Sequence, residues 1–288
     1  MTKSLMFDAP REGEFTQGTV FSCASAEDYP QTSVYGLVIT ARCDAVQDKT
    51  PIFSYIPVVQ LHEWMLCDGA NIAMDRIRAD CQGILRKALK DASLSDSLLD
   101  TKTVYEVYDS HFKPREIEKA WNTRCSKIRA TMDTYVTTQR LRAESGLKEE
   151  RRLHLLAHTT MVDTVLKELT SNRLAGFYLL RDMPSLAGDE GNYVALLREI
   201  HHIPTSLTRE IVGGLSKEAW APRASESPRC PRFFAADDLA APVAKLKSPW
   251  IEHLMQGFTM LFARIGVVDN DFFAVKRSLS PIGLGGSQ

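Results

Sequence analysis

The chain has 288 residues, of which 44% are hydrophobic and 25% charged, and this composition excludes a collagen-like or broadly disordered protein. Its 35 Lys and Arg residues are balanced by 36 Asp and Glu residues, and the net charge of −1 argues against a protein that coats nucleic acid with its whole surface. The length predicts about two domains, or one domain with a large insertion.

The cysteine pattern predicts a reducing compartment. No two of the six cysteines form a Cys-x-x-Cys pair, and the first residues contain no apolar run of the kind found in secretory signals. No apolar segment reaches the roughly 18 residues that a membrane helix needs. We therefore expect a cytoplasmic protein with reduced thiols and no membrane association.

The first part of the chain has the pattern of short strands. Residues 15–22 are rich in β-branched side chains, and Gly18 predicts a bend or bulge among them. Residues 33–40 form a nearly continuous apolar run, which predicts a strand buried on both faces. Residues 53–59 predict a third strand, and Pro57 indicates an edge position or a bulge, because proline has no N–H to donate to a sheet.

From residue 70 onwards the apolar period changes from two residues to about 3.6, which predicts helices. Pro114 is placed to open the second of them from its first turn. The three apolar stripes are Met74, Ile77, Cys81, Ile84 and Ala88; Ile117, Trp121, Cys125, Ile128, Met132 and Tyr135; and Leu155, Val162, Leu166 and Leu169. The cysteines on these stripes are predicted to pack in the core rather than to bind a ligand.

Strand character returns at residues 175–180 and 192–197, and the turn-rich residues 185–191 between them predict a hairpin. We expect this hairpin to join the sheet of residues 15–66, with two separate sheets as the alternative. The predicted fold class is α+β, a small curved β-barrel or sheet split by a three-helix insertion, with a C-terminal amphipathic helix. The predicted units are a discontinuous barrel or sheet of residues 1–66 and 173–245, a helical insertion of residues 67–172, the C-terminal helix of residues 246–268 and a disordered tail of residues 278–288.

The C-terminal helix has clear boundary signals. Ser248 is a predicted N-cap, Pro249 follows at the first helical position, and Gly266 is a predicted stop. The apolar stripe between them is wide and rich in Met and Phe, so the helix packs in the core or takes part in an oligomer or partner interface. The residues predicted to bind a partner are Trp250, Met255, Phe258, Phe262 and Arg264.

No common phosphate-binding, zinc-protease or serine-hydrolase motif occurs, and no cofactor is predicted. Arg42 and Asp44 follow the most apolar strand, and a site there would need a base such as His62, so these three are the catalytic candidates. The structural alternative is that Asp44 caps the turn and Arg42 pairs with an acid on a neighbouring strand. A metal site is the alternative role for Cys43, His62 and Cys67, together with Cys23. Their spacing matches no zinc finger or zinc ribbon, and no metal is predicted. His201 and His202 are adjacent on a strand, which predicts one packed and one solvated ring.

The first three predicted strands resemble the opening of the PemK/MazF-like toxins. The resemblance is carried by residues 15–20, 36–40 and 56–59, which correspond to that family's QGD-V, RPALVIS and PIT strands and imply a small SH3-like barrel. The chain departs from the family at its ribonuclease positions, where Val34–Tyr35 and Val58–Val59 replace the Arg-Pro pair and the Thr. The resemblance therefore implies the barrel rather than RNA cleavage.

Charge is distributed unevenly along the chain. Residues 1–66 carry a net charge of −4, which is unfavourable for an RNA groove, whereas residues 113–153 carry +5 and could meet nucleic acid or an acidic partner. We therefore expect a non-catalytic interaction protein, an adaptor or regulatory subunit of a multi-component bacterial defence or toxin–antitoxin-like system, with a protein partner or a second copy of the chain. The alternative is a divergent barrel ribonuclease of the PemK/MazF type.

Overall fold

A computed structural model describes residues 5–42, 50–144, 146–186, 188–225 and 230–262. Eight strands form one antiparallel sheet in the order β1-β10-β2-β3-β4-β6-β5, with β7 also paired to β4. These strands are β1 (Phe7–Asp8), β2 (Thr19–Ala24), β3 (Val34–Val38), β4 (Ile52–Gln60), β5 (Phe177–Pro184), β6 (Glu190–Leu196), β7 (His201–Pro204) and β10 (Pro242–Leu246). A separate two-stranded sheet joins β8 (Leu215–Ser216) to β9 (Leu239–Ala240).

The eight-stranded sheet curves into a nearly closed barrel. Its two ends approach each other where the backbone N–H of Arg181, on β5, donates to the sulfur of Met6, beside β1, at 3.3 Å. The predicted pairing across the helical insertion is confirmed, because Val58 on β4 lies opposite Ala195 on β6. The α+β fold class is therefore confirmed, as is the 185–191 hairpin turn between β5 and β6.

Alternate side chains of the central strands enter two different cores. On β4, Ile56 and Val58 belong to a core that also contains Ile251 and Leu254 of the C-terminal helix. Tyr55 and Val59 instead belong to the core that packs against the helical segments. Both faces of the sheet are thus buried, as the apolar run at residues 33–40 predicted.

Helices occupy most of the chain between β4 and β5. A one-turn helix, α1, follows β4 without a loop, and a wide π-helical turn at Met65–Gly69 leads from it into α2. The helices are α1 (Leu61–Trp64), α2 (Ala70–Asp91), α3 (Leu98–Thr101), α4 (Val104–His111), α5 (Asn122–Ala143), α6 (Lys148–Ala157) and α7 (Thr159–Thr170). After the barrel's β7 come α8 (Thr205–Gly213) and α9 (Lys217–Trp220), and after β10 comes α10 (Trp250–Phe262). In the part of the chain that the structure describes, no helix combines the length and apolarity needed to cross a bilayer.

The inserted helices differ in detail from the periodic pattern. Pro114 lies in a short 3-10 turn, Lys113–Arg115, and α5 begins only at Asn122, so Ile117 is 92% exposed instead of packed. The new helix starts after Trp121, whose ring is stacked beneath Arg115 at 4.7 Å. The prediction that Pro114 opens the second long helix was therefore wrong.

Two further expectations need correction. The third predicted helix is two helices, because the backbone leaves helical geometry at His158, between α6 and α7. Pro57 lies on a central strand and not at an edge, since β4 pairs with β3 on one side and with β6 and β7 on the other. Proline is tolerated there because β4 has no strand partner at Pro57 on the side of β6 and β7. On that side Tyr55 is the last residue opposite β7, and Val58 is the first residue opposite β6.

Other local expectations are confirmed. Gly18 adopts a φ of 89° and precedes β2, and a Cβ atom there would lie 2.7 Å from the carbonyl oxygen of Leu246. His201 is buried and His202 is exposed, as adjacent positions on a strand require. The predicted helix stop at Gly266 and the tail of residues 278–288 lie outside the described residues.

Candidate ligand-binding cleft

A cleft of about 1070 Å³ lies where the barrel meets the helical insertion. The loop at residues 28–32, the π-helical turn at Met65–Gly69 and the segment leading into β5 line it. The end of α5 and the start of α6 complete its wall. Clefts of this size between structural units are common positions for ligand sites.

The π-helical turn forms the floor of the cleft. Trp64, immediately before it, is fully buried and packs edge-on against Phe177 with ring centroids 5.2 Å apart. A Cβ atom on Gly69 would lie only 3.0 Å from the side chains of Trp64 and Met65, so glycine allows the wide turn to pack here. The turn places Cys67 and Asp68 along the cleft, and π-bulges inside helices often occur at functional sites.

Tyr29, Cys67 and Asp68 form a hydrogen-bonded group on this floor. The hydroxyl of Tyr29, which is buried, donates to Oδ2 of Asp68 at 2.7 Å, and the thiol of Cys67 makes a weak contact with the carbonyl oxygen of Asp28 at 3.8 Å. Burial is the largest cause that raises the pKa of each of the three side chains. The environment therefore keeps Cys67 as a thiol and does not activate it as a thiolate, whereas the hydrogen bond from Tyr29 favours the ionised carboxylate of Asp68 and opposes the effect of burial.

Two ion pairs stand at the rim of the cleft. Lys148 lies 3.1 Å from Glu63, and Arg142 lies 3.4 Å from Asp75. These four charges neutralise each other, so they contribute little net field to the interior.

Other polar groups of the cleft lack such partners. The buried Arg151 donates from Nε to the carbonyl oxygen of Leu141 at 3.1 Å and from Nη2 to that of Glu144 at 3.0 Å, but among the described residues no carboxylate pairs with it. Oδ1 of Asn71 is buried and accepts no hydrogen bond within the described residues. Such groups are costly to bury unless something else satisfies them.

Arg198 reaches the same cleft from the end of β6. Its side chain lies over Gly176, where an added Cβ atom would be 2.5 Å from Nε. Gly176 has a φ of 94°, which also favours glycine. Arg198 acts on Asp68 through charge alone, because the two do not form an ion pair, and among the described residues it has no carboxylate partner.

The catalytic candidates from the sequence are not brought together. Arg42 is exposed and lies 3.8 Å from Glu252 of α10, whereas His62 is exposed beside Glu63, at 3.4 Å. The two residues lie at opposite ends of β4. Strands β3 and β4 are antiparallel and Val38 lies opposite Tyr55, so the chain beyond Val38 towards Arg42 runs along the first half of β4, whereas His62 follows its last residue, Gln60. A nine-residue strand spans roughly 30 Å. Asp44 lies outside the described residues.

The candidate metal ligands are also dispersed. Cys43 lies outside the described residues, His62 is exposed beside Glu63, and Cys67 contacts the carbonyl oxygen of Asp28. Cys23 lies instead beside Cys230, whose thiol is 3.8 Å from the Cys23 carbonyl oxygen. Across the described ranges, no three His, Cys, Asp or Glu side chains are grouped as metal ligands would be.

The partner-binding candidates lie on α10. Trp250, Met255 and Phe258 are half-buried against the barrel core, whereas Phe262 is 58% exposed and its ring lies 5.2 Å from that of Phe258. Arg264 lies outside the described residues. The inner face of α10 is therefore core, and its last turn carries the exposed aromatic surface.

Many basic side chains of residues 113–153 are paired with acids. The pairs include Arg129 with Glu116, Arg140 with Glu150 and Arg152 with Glu149. Pairing lowers the positive field that these helices can offer to a phosphate backbone. Nucleic-acid binding through this face stays a prediction.

No protein-family model, curated protein or solved structure matches the chain. The fold that can be stated is the α+β class with a nearly closed antiparallel barrel. The cleft residues Tyr29, Asp68, Arg151 and Arg198 were missed by sequence reasoning. The useful signal was Arg151 on the apolar side of α6, four residues before Leu155, because a charged residue on a buried stripe indicates a constrained role.

Proposed function

We propose that this chain is a non-catalytic binding protein, a regulatory or adaptor subunit that holds a small ligand in the cleft between its barrel and its helical insertion. The observation that carries the proposal is the cleft itself, whose floor bears Asp68 and whose wall bears Arg151 without an ion-pair partner for either among the described residues. A ligand that bridges the barrel and the helices would change how firmly the two are held together, which suits a regulatory role. The bacterial defence or toxin–antitoxin setting and the cytoplasmic location remain parts of this proposal.

The state of the floor side chains favours binding over catalysis. The raised pKa of Cys67 keeps its sulfur protonated, whereas a nucleophilic cysteine needs a lowered pKa and a neighbouring base. The distance between Arg42 and His62 gives no support to the ribonuclease alternative, since a general acid and base must reach the same phosphate.

The proposal is tested by filling the cleft. Ala143, at the end of α5, lines the cleft, and Ala120, before α5, is exposed and does not. Native mass spectrometry and thermal unfolding in the presence of a bacterial metabolite extract compare the wild type with Ala143→Trp and with the matched control Ala120→Trp. We expect a bound small molecule and a raised melting temperature in the wild type and in Ala120→Trp, and neither in Ala143→Trp.

Two results would overturn the proposal. One is retention of the bound molecule by a folded Ala143→Trp variant, which would place the ligand elsewhere. The other is the absence of any bound molecule or thermal shift in the wild type across the whole extract.

A further inference from the structure

The charges that line the cleft can be divided into those with partners and those without. Four acidic and four basic side chains line it. Two of each are taken up by the ion pairs of Lys148 with Glu63 and of Arg142 with Asp75. The four without an ion-pair partner among the described residues are Asp28, Asp68, Arg151 and Arg198.

Opposite charges in one cleft usually pair with each other, yet these do not. Arg151 is held in place by the carbonyl oxygens of Leu141 and Glu144, which fixes its guanidinium at the C-terminal end of α5. Asp68 is held by the hydrogen bond from the hydroxyl of Tyr29. Each partner is therefore anchored by its own element, and the cleft keeps a cation and an anion apart.

We propose that the cleft binds a zwitterionic ligand of the amino-acid class, with its carboxylate between Arg151 and Arg198 and its ammonium group at Asp68. This inference rests on the proposed function and specifies the ligand of the same site. Arginine suits the carboxylate end because its planar guanidinium donates to both oxygens of a carboxylate.

The charge balance selects this class over others. A polyanion such as RNA needs an excess of basic groups, and the cleft has none, since its acidic and basic side chains are equal in number. A simple organic cation would leave both arginines unmatched, and a simple anion would leave Asp68 unmatched; Asp28 is exposed and is solvated by water instead. Only a ligand that carries both charges satisfies both sets.

The apolar part of the lining indicates the side chain of the ligand. Leu66, Ile72, Leu174 and Phe177 are half-buried and line the cleft beside the charged groups. They would cover an aliphatic or aromatic side chain of the ligand. The cleft volume of about 1070 Å³ also admits a short peptide with free termini. The ligand chemistry is therefore an apolar amino acid or an apolar di- or tripeptide with both ends free.

The ligand class is tested first on the unaltered protein by isothermal titration calorimetry. The probes are L-leucine, L-phenylalanine and the dipeptide Leu-Leu, together with N-acetyl-leucine, which lacks the ammonium charge, and leucinamide, which lacks the carboxylate. We expect a free amino acid or the dipeptide to bind, and blocking either end of the better ligand to weaken its binding at least about tenfold. Comparison of leucine with Leu-Leu decides between a free amino acid and a peptide.

Matched variants test the two ends. Asp68→Asn keeps an oxygen for Tyr29 and removes the negative charge, and its control Asp163→Asn removes an exposed carboxylate on α7 that does not line the cleft. Arg198→Gln removes a cation without an ion-pair partner among the described residues, and its control Lys87→Gln removes an exposed cation on α2 that does not line the cleft. We expect roughly tenfold weaker binding in Asp68→Asn and Arg198→Gln, and unchanged binding in both controls.

Failure of the inference and failure of the proposed function give different results. If no zwitterionic probe binds at millimolar concentration, or if N-acetyl-leucine or leucinamide binds as tightly as leucine, the ligand class is wrong. The cleft can still be shown to bind another molecule by the metabolite experiment with Ala143→Trp. If that experiment also finds nothing, the proposed function fails as well.

Discussion

Replacing Gly36 with Ala should destabilise the barrel. Gly36 lies on β3, and a Cβ atom there would be 2.3 Å from Cε1 and 2.4 Å from Cζ of Phe21. Carbon atoms in contact lie about 3.5–4.0 Å apart, so the methyl group overlaps the ring by more than about 1 Å. The ring has no room to retreat, because Phe21 is fully buried between Phe15 and Tyr55, with ring centroids at 5.4 and 5.1 Å.

The sign of the change follows from two opposing terms. Removing a glycine from a strand gains about 0.4–1 kcal/mol through the unfolded chain. Overpacking a filled core costs about 1–3 kcal/mol. We expect a net loss of about 1–2 kcal/mol in the free energy of unfolding, measured by urea denaturation followed by far-UV circular dichroism. The melting temperature should fall by about 2–8 °C.

Two further variants make this prediction sharp. Gly83 lies in the exposed middle of α2 with nothing within 4 Å of an added Cβ atom, so Gly83→Ala should raise stability by about 1 kcal/mol. Phe21→Leu should relieve the overlap, so the double variant with Gly36→Ala should be at least about 1 kcal/mol more stable than the sum of the two single effects. Additive effects, or a Gly36→Ala variant as stable as the wild type, would refute the packing argument.

Three other outcomes are expected. Burial lowers the pKa of His154 and His158, so the unfolded chain takes up protons at a higher pH than the folded chain. The free energy of unfolding should therefore fall as the pH is lowered from about 7 to 5. If the variant with both His154→Gln and His158→Gln shows the same dependence of the free energy of unfolding on pH as the wild type, this explanation is wrong. Phe262→Asp should remain folded because Phe262 is 58% exposed. If the last turn of α10 joins a second copy of the chain, light scattering should show a smaller species for this variant than for the wild type. Equal masses of the two proteins would refute that association. Arg151→Met should lower the free energy of unfolding by about 1–3 kcal/mol in urea denaturation, because two carbonyl oxygens at the end of α5 lose their hydrogen-bond donor. A loss below about 0.5 kcal/mol would show that these oxygens find other donors.

The sequence predicted the parts of the fold that depend on local pattern. The apolar run at residues 33–40 became β3, and the Met74, Ile77 and Cys81 positions are buried on α2. The same stripe also shows the limit of periodicity. In its second half the helix buries Leu85 and Leu89 and leaves Ile84 53% exposed. A period of 3.6 allows either choice, and the neighbouring helix decides between them.

Long-range contacts explain what sequence reasoning missed. Strand β10 is only five residues long and depends on pairing with β2, more than 200 residues earlier in the chain. The cleft combines Tyr29, Asp68 and Arg151 from three distant segments, and the π-helical turn that positions Asp68 has no simple sequence signature. Such a site becomes visible only when the fold brings its parts together.

The direct passage from β4 into α1 has a consequence for the order of folding. Strand β4 must pair with β6, but more than one hundred residues of the insertion separate the end of β4 from the start of β5. Closing so long a flexible loop costs about 4 kcal/mol in chain entropy. Helices form faster than distant strands can pair, so helices that pack early would shorten the effective loop and bring β4 close to its partners. The insertion would then set the rate at which the barrel closes, and pulse-labelling hydrogen exchange should protect amides of α2 and α5 before those of β6.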